Sequence, residues 1–153
     1  MKFVPRWLLT ALAIFVLVRV VPRTLWADLT FWNLQLALVG AGLLIVSTLL
    51  ALWARWTLGR MWSPVPTVKE HHELRTRGPY RITRHPIYTG ILGMLLGSML
   101  MSGLGPLLLA VVAFALMFTY RMPREEELMI ETFGEQYVRY QHEVPRIIPF
   151  VHV

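Results

Sequence analysis

The chain has 153 residues, enough for one domain, and 56% of them are hydrophobic, which is above the usual range for a water-soluble fold of this size. The net charge of +6 suggests an anionic partner. Because the basic residues flank apolar segments and form no stripe interleaved with aromatics, the sequence argues against nucleic acid and favours a membrane surface. The absence of cysteine excludes disulfides, cysteine metal sites and thiol nucleophiles.

Two apolar segments occupy the first third of the chain. Residues 7–21 follow Lys2 and Arg6 and lack a small-residue cleavage pattern, so this segment is interpreted as a retained anchor helix. Residues 29–54 contain no charge and, as a helix, can cross a hydrocarbon core about 30 Å thick. We therefore expect two N-terminal spans within residues 1–56.

The next apolar segment, residues 86–120, is too long for a single span, because one helix of this length would reach about 50 Å. Two glycines and a proline at residues 102–106 break helical geometry and predict a hairpin of two short helices. A separate helix is predicted at residues 123–142, with Pro123 in its first turn. Apolar side chains recur there at spacings of three and four and predict one apolar face, formed by Met129, Phe133, Tyr137 and Tyr140.

The distribution of basic residues predicts the orientation. Seven lie between the second and third spans and four follow the fourth, so the positive-inside rule places both stretches in the cytoplasm. The sequence thus predicts an all-α, multi-pass integral membrane protein of about four transmembrane helices plus a cytoplasmic C-terminal helix, with both termini cytoplasmic. We expect residues 1–153 to form a single domain, in which residues 57–153 contain the loop, the hairpin and the C-terminal helix.

The densest cluster of chemically capable residues is GPYRITRHPIYTG, which begins at Gly78 and leads from the basic loop into the third span. Pro86 suits a first helical position, which places His85 at the cap and Arg84 just outside, at the membrane boundary. Ionisable groups at this depth are functional candidates, and the alternative is a basic anchor for lipid phosphates. The hairpin brings Glu125 and Glu126 back to the same face, although glutamates at a helix start most often serve the helix dipole.

Two other patterns carry weaker signals. Gly90, Gly93 and Gly97 fall within a narrow arc, a pattern that usually lets another helix approach closely, although a flat ligand against exposed backbone is the alternative. The adjacent histidines and glutamate at residues 71–73 suggest a metal, but the second histidine of a zincin motif is missing. We therefore expect no metal site.

The segment GPYRITRHPIYTG, followed after a hairpin by REEELMIETFGEQYVRYQHEVPRIIPF, resembles the isoprenylcysteine carboxyl methyltransferase family and the related phospholipid N-methyltransferases. The resemblance covers about the last 60% of the chain, roughly residues 58–150. It implies an S-adenosylmethionine-dependent methyltransferase acting on a lipid or lipid-modified acceptor at the cytoplasmic face. Six residues match its cofactor pocket, namely Tyr80, His85, Tyr88, Gly90, Glu125 and Glu126.

The resemblance further implies that Arg84 acts near the methyl acceptor, so Arg84 and His85 are the candidate catalytic residues. Methyl transfer from a sulfonium requires mainly positioning and exclusion of water. A carboxylate acceptor can be oriented by Arg84, whereas an amine acceptor requires a base such as His85 or a glutamate. The alternatives are a phospholipid or small-amine N-methyltransferase, an NADPH-dependent membrane reductase and a scaffold that binds lipid headgroups.

Overall fold

The computed structural model describes residue 27 and residues 29–59, 74–103, 105, 107–149 and 151. Within these ranges all of the regular secondary structure is helical, as predicted, with four α-helices and one short 3₁₀ turn. The helices are α1 (Leu34–Leu58), α2 (Pro86–Ser102), α3 (Leu107–Phe133) and α4 (Glu135–Glu143), and the 3₁₀ turn covers Gly78–Arg81. The predicted first span and the histidine pair at residues 71 and 72 lie outside the described residues.

Helix α1 is the longest apolar element in the described part of the chain and is long enough to cross a membrane, with a mean hydropathy of 2.3. Its predicted bounds, residues 29–54, were wrong at both ends. The helix begins only after Asn33, whose Oδ1 accepts hydrogen bonds from the backbone N–H groups of Gln35 (2.9 Å) and Leu36 (3.1 Å). An asparagine that satisfies first-turn donors fixes a helix start more strongly than the hydrophobic residues before it.

Helices α2 and α3 form the predicted hairpin. Helix α2 has Pro86 at its first position, as predicted, and ends at Gly103, whose φ is 88°. A Cβ at Gly103 would lie 2.6 Å from the carbonyl oxygen of Leu29, so both the backbone conformation and the space require glycine. Tyr88, near the start of α2, contacts Phe118, near the middle of α3, while the end of α2 adjoins the start of α3, so the two helices are antiparallel.

The predicted separate helix at residues 123–142 was wrong, because α3 continues through Pro123 to Phe133. A proline inside a helix removes one hydrogen bond and usually breaks the helix. Here Met122 and Glu126 are buried on either side of Pro123, and Arg121 Nε bonds Glu125 Oε1 across it at 2.8 Å. Tertiary packing therefore outweighs the local break, and the glutamates lie in mid-helix, far from any helix N-terminus.

The break in this segment occurs at Gly134, which has a φ of 54° and separates α3 from α4. The predicted apolar face is nevertheless continuous across the break. Met129 and Phe133 of α3 pack against Tyr137 and Tyr140 of α4, together with Leu74 and Val144. This small core holds α4 beside the end of the hairpin.

The glycine stripe of α2 faces α1, and the two helices are in close contact along their length. A Cβ at Gly97 would lie 2.7 Å from the carbonyl oxygen of Gly40, and a Cβ at Gly90 would lie 2.8 Å from that of Ser47. The stripe thus serves close helix packing, which was the favoured interpretation of the pattern.

Candidate active site

The start of α2 and the middle of α3 meet at one end of the hairpin, as the sequence predicted. His85 Nε2 lies 3.2 Å from Glu126 Oε1, and the Tyr88 hydroxyl donates a 2.8 Å hydrogen bond to Glu125 Oε1. His85 Nδ1 lies 3.8 Å from Glu125 Oε2, so the imidazole ring stands between the two carboxylates. Two predicted site residues at the start of α2, His85 and Tyr88, therefore form one cluster with Glu125 and Glu126, which follow about 40 positions later in the chain.

Glu126 is enclosed by three cationic or hydrogen-bonding side chains. Its carboxylate accepts a 3.0 Å hydrogen bond from Arg84 Nε and one from His85 Nε2. Arg146 binds it in a bidentate manner through Nε and Nη2. The residue is only 3% exposed. Burial alone would raise the pKa of Glu126, but hydrogen bonds from His85 and Arg146 and the charge of Arg84 outweigh it and lower the pKa to about 2.

Glu125 has a different environment from its neighbour. Its side chain is 21% exposed, and its Oε1 accepts hydrogen bonds from Tyr88 and from Arg121 Nε at 2.8 Å each. Its Oε2 has no hydrogen bond to any other residue that the structure describes, because the contact with His85 Nδ1 is too long. Glu125 thus retains an oxygen that can accept a hydrogen bond from a ligand.

Arg84 is tied to the end of α4. Its Nη1 donates 2.7 Å hydrogen bonds to the carbonyl oxygens of Gln141 and Val144, in addition to the Nε contact with Glu126. These carbonyls lie in the last turn of α4 and at its C-cap, where the backbone lacks helical partners. With a side chain only 7% exposed, Arg84 joins α4 to Glu126. Its implied action on a methyl acceptor stays a prediction.

The segment after α4 runs along the entry to α2. The backbone N–H of Arg84 donates to the carbonyl oxygen of Pro145 at 2.8 Å, and that of His85 donates to Arg146 at 3.1 Å. The Thr89 hydroxyl donates to the carbonyl oxygen of Ile147 at 2.8 Å. We refer to residues 145–147 as the C-terminal strap. It holds the backbone on both sides of the His85 side chain.

Tyr80 and Gly90, the other two predicted cofactor residues, have structural contacts. Tyr80 is buried, its carbonyl oxygen accepts a 2.5 Å hydrogen bond from the Tyr140 hydroxyl, and burial raises the pKa of its phenol. Gly90 packs against α1, as described above. Direct contact of either residue with a cofactor stays a prediction.

Two side chains of the cluster were missed as site residues by the sequence reasoning. Arg121 and Arg146 were used only to predict orientation. For Arg121 a signal existed, because its spacing of four from Glu125 places both side chains on one helix face. Arg146 lies in an irregular segment, where no periodicity predicts a partner.

The described residues contain no group of three or more histidine, cysteine or acidic side chains placed to hold a metal ion. The residues at 71–73, which suggested a metal before they were discounted, lie outside the described ranges. The cluster around His85 is instead built from arginine–carboxylate contacts, which suit organic ligands better than a divalent cation.

An apolar helix long enough to span a membrane, joined to a buried ionisable cluster at the end of a hairpin, indicates a helical membrane protein with a polar functional site. Residues 36–136 match the family described as phospholipid methyltransferase. Because this match includes more than half of the chain, the chain belongs to that family.

Similar proteins of known type agree with the predicted resemblance. Protein-S-isoprenylcysteine O-methyltransferase B of Arabidopsis thaliana is 37% identical over 117 residues, which are 74% of this chain and 59% of that protein. Protein-S-isoprenylcysteine O-methyltransferase of Saccharomyces cerevisiae is 32% identical over 136 residues, 83% of this chain and 56% of the yeast protein. The chain thus spans less than two thirds of the length of these relatives.

A solved structure is also similar to this fold. It is described as the eukaryotic intramembrane Ras methyltransferase, an isoprenylcysteine carboxyl methyltransferase, and it aligns with a TM-score of 0.64 at 25% sequence identity. The alignment covers 99% of this chain and 55% of that one. The resemblance read from the two sequence segments is therefore confirmed at the level of both sequence and fold.

Proposed function

We propose that this chain is an integral membrane methyltransferase that uses S-adenosylmethionine and acts on a lipid or lipid-modified acceptor at the cytoplasmic membrane face. The observation that carries the proposal is the position of the His85 ring between Glu125 and Glu126, at the junction of the two halves of the family motif. Membership of the phospholipid methyltransferase family supports the reaction class.

The cluster contains groups of the kind that S-adenosylmethionine requires. The cofactor presents ribose hydroxyls and an amino group, which are hydrogen-bond donors, and Glu125 Oε2 is a partly exposed acceptor. The Tyr88 ring, packed edge-on against Phe114 and Phe118, provides an aromatic wall beside the Glu125 carboxylate, to which its hydroxyl is hydrogen-bonded. When bound, the cofactor supplies a methyl group on a positively charged sulfur.

Glu126 has less capacity for a ligand than Glu125, because both of its oxygens already accept hydrogen bonds from protein side chains. We propose that Glu125 is the carboxylate that contacts the cofactor. Glu126 then positions His85 and the two arginines around it. This division refines the prediction that both glutamates bind the cofactor directly.

The contact with Glu126 fixes which ring nitrogen of His85 carries a proton. The Glu126 carboxylate is ionised and can only accept hydrogen bonds, so the contact at 3.2 Å requires a proton on His85 Nε2. In the neutral ring, Nδ1 then keeps a lone pair. This lone pair can accept the proton that an amine loses on methylation, whereas a carboxylate acceptor releases no proton and leaves His85 a positioning role.

The names of the relatives and of the family suggest two kinds of methyl acceptor. The relatives are named as protein-S-isoprenylcysteine O-methyltransferases, which favours a carboxylate on a lipid-modified cysteine as the acceptor. Phospholipid N-methylation is the second candidate, and the name of the matching family favours it.

We further propose four spans with both termini in the cytoplasm, an arrangement supported by the basic residues around the hairpin.

Ligand-dependent thermal stability in detergent tests the methyltransferase proposal. S-adenosylhomocysteine should raise the unfolding temperature of the purified chain, because a ligand that binds only the folded state stabilises it, whereas NADPH should not. The reverse result would support a reductase, and no effect of either ligand would support the scaffold. Mass analysis of membranes incubated with labelled methyl donor would then identify the acceptor.

The role of Glu125 is tested by Glu125→Gln, with Glu127→Gln as the matched control, since Glu127 is exposed on the same helix. Loss of the charged acceptor should weaken S-adenosylhomocysteine binding by about tenfold or more. The control should bind as the wild type does. Equal affinities in the two variants would remove Glu125 from the cofactor site.

A further inference from the structure

Among the residues that the structure describes, the cluster around His85 contains more arginines than carboxylates. Two glutamates, Glu125 and Glu126, face three arginines, Arg84, Arg121 and Arg146, through direct ion pairs. An arginine with a donor edge that no carboxylate occupies favours a carboxylate partner, because charge-assisted pairs of this kind are among the stronger hydrogen bonds. A carboxylate on a ligand can therefore pair with one of the three arginines.

Arg84 is poorly placed to receive that charge. Its Nε is bonded to Glu126, its Nη1 is bonded to two backbone carbonyls, and its side chain is 7% exposed. Its remaining nitrogen, Nη2, makes no hydrogen bond to a residue that the structure describes, but a side chain this buried offers a ligand carboxylate little access. Arg121 is also engaged, since its Nε is held by Glu125 one turn away.

Arg146 differs from both in exposure and in geometry. Its side chain is 40% exposed, and its Nε and Nη2 grip the Glu126 carboxylate from one side. Its Nη1 makes no hydrogen bond to another residue in the described ranges. Because the guanidinium is planar and presents donors on more than one edge, it can hold Glu126 with one edge and a second carboxylate with another.

The position of Arg146 is fixed by backbone as well as by side chain. Its carbonyl oxygen accepts the N–H of His85, so the strap holds Arg146 beside the imidazole. The same Glu126 oxygen, Oε1, contacts both His85 Nε2 at 3.2 Å and Arg146 Nε at 3.1 Å. The Glu126 carboxylate thus links the exposed Arg146 guanidinium to the His85 ring, which lies next to Glu125.

We infer that Arg146, and not Arg84, is the arginine that pairs with the carboxylate of a bound ligand, while Arg84 positions α4 and Glu126. This inference rests on the proposed methyltransferase function and specifies its anion-binding group. Two ligands of such an enzyme carry a carboxylate, the amino-acid part of the methyl donor and the C-terminal carboxylate of a lipid-modified cysteine. Either would meet the same charge-assisted, geometrically matched donor edge.

Four ligands in two matched pairs test the inference by direct binding measurements on detergent-solubilised protein. S-adenosylhomocysteine is compared with 5′-methylthioadenosine, which has the same nucleoside and thioether but no carboxylate. N-acetyl-S-farnesylcysteine is compared with its carboxamide. The variants are Arg146→Gln and, as a matched control, Arg139→Gln, which removes an exposed arginine from α4.

Arg146→Gln should weaken one carboxylate ligand by about tenfold or more and leave its carboxylate-free partner bound as in the wild type. A loss for S-adenosylhomocysteine alone identifies the methyl donor as the source of the anion. A loss for farnesylcysteine alone identifies the acceptor. Arg146→Lys keeps the charge and a contact to Glu126, and should give a smaller loss for the same ligand, which provides a second readout if Arg146→Gln folds poorly.

Two results would overturn the inference while leaving the proposed function standing. One is unchanged binding of all four ligands to Arg146→Gln, and the other is an equal loss for both members of each pair, as a purely structural role of the strap requires. If the wild type bound neither S-adenosylhomocysteine nor 5′-methylthioadenosine, the proposed function itself would fail, and the inference with it.

Discussion

Glu125 and Glu126 are adjacent in the chain, yet their carboxylates have different surroundings. Consecutive side chains on an α-helix are rotated by about 100° from each other, so Glu126 points into the arginines while Glu125 points toward Tyr88 and Arg121. The sequence motif shows a pair of equal acids. The difference arises because Arg84 and Arg146, from other parts of the chain, occupy the Glu126 carboxylate. Glu126 therefore has a structural role, whereas Glu125 can bind a ligand.

Glu126→Gln should destabilise the fold more than it changes ligand contacts. The substitution keeps the size of the side chain but leaves the charges of Arg84 and Arg146 without their buried partner, which we expect to cost about 3 kcal/mol in the free energy of unfolding. Denaturant unfolding in detergent measures this cost. Glu127→Gln, at the exposed neighbour, should change it little, and a similar loss in both variants would contradict the structural role of Glu126.

At the scale of elements, the close packing of α1 and α2 depends on small residues at their interface. Gly97→Ala should therefore destabilise the pair by about 1–3 kcal/mol, because the added Cβ would lie 2.7 Å from the Gly40 carbonyl oxygen and 3.0 Å from the Leu44 backbone nitrogen. Backbone atoms cannot rotate away, so the helices must separate.

Gly42→Ala is the matched control for this prediction. An added Cβ at Gly42 meets no atom within 4 Å, and alanine favours helix over glycine by up to about 1 kcal/mol. Unfolding in detergent should show a loss for Gly97→Ala and no loss for Gly42→Ala. Equal stability of the two variants would mean that the two helices can separate without cost.

The elements also show what the sequence could and could not predict. Pro86, Gly103 and the lack of charge in residues 86–120 were sufficient to predict the hairpin, because these signals act locally. Pro123 gave the wrong helix boundary, because burial of Met122 and Glu126 opposes its local preference. The contact between Arg146 and Glu126 could not be predicted either, because the two residues are 20 positions apart and lie on different elements.

For the molecule as a whole, acid should weaken the fold through Glu126. Its pKa is about 2 in the folded state and ordinarily about 4.5, so the stabilisation that ionised Glu126 provides is fully present above pH 4.5. It is lost progressively as the pH falls from about 4.5 toward 2. Unfolding free energies measured over this range should converge for the wild type and Glu126→Gln. A constant difference would show that the lowered pKa does not contribute to stability.

The C-terminal strap also sets an order of events during biosynthesis. The hairpin can form as soon as α3 has left the ribosome, but the hydrogen bonds at Arg84, His85 and Thr89 require carbonyl groups from Pro145, Arg146 and Ile147. A nascent chain that stops short of Ile147 can thus hold a formed hairpin beside an unfinished ion-pair cluster. Translation through the strap, rather than formation of the hairpin, is the step that completes the site.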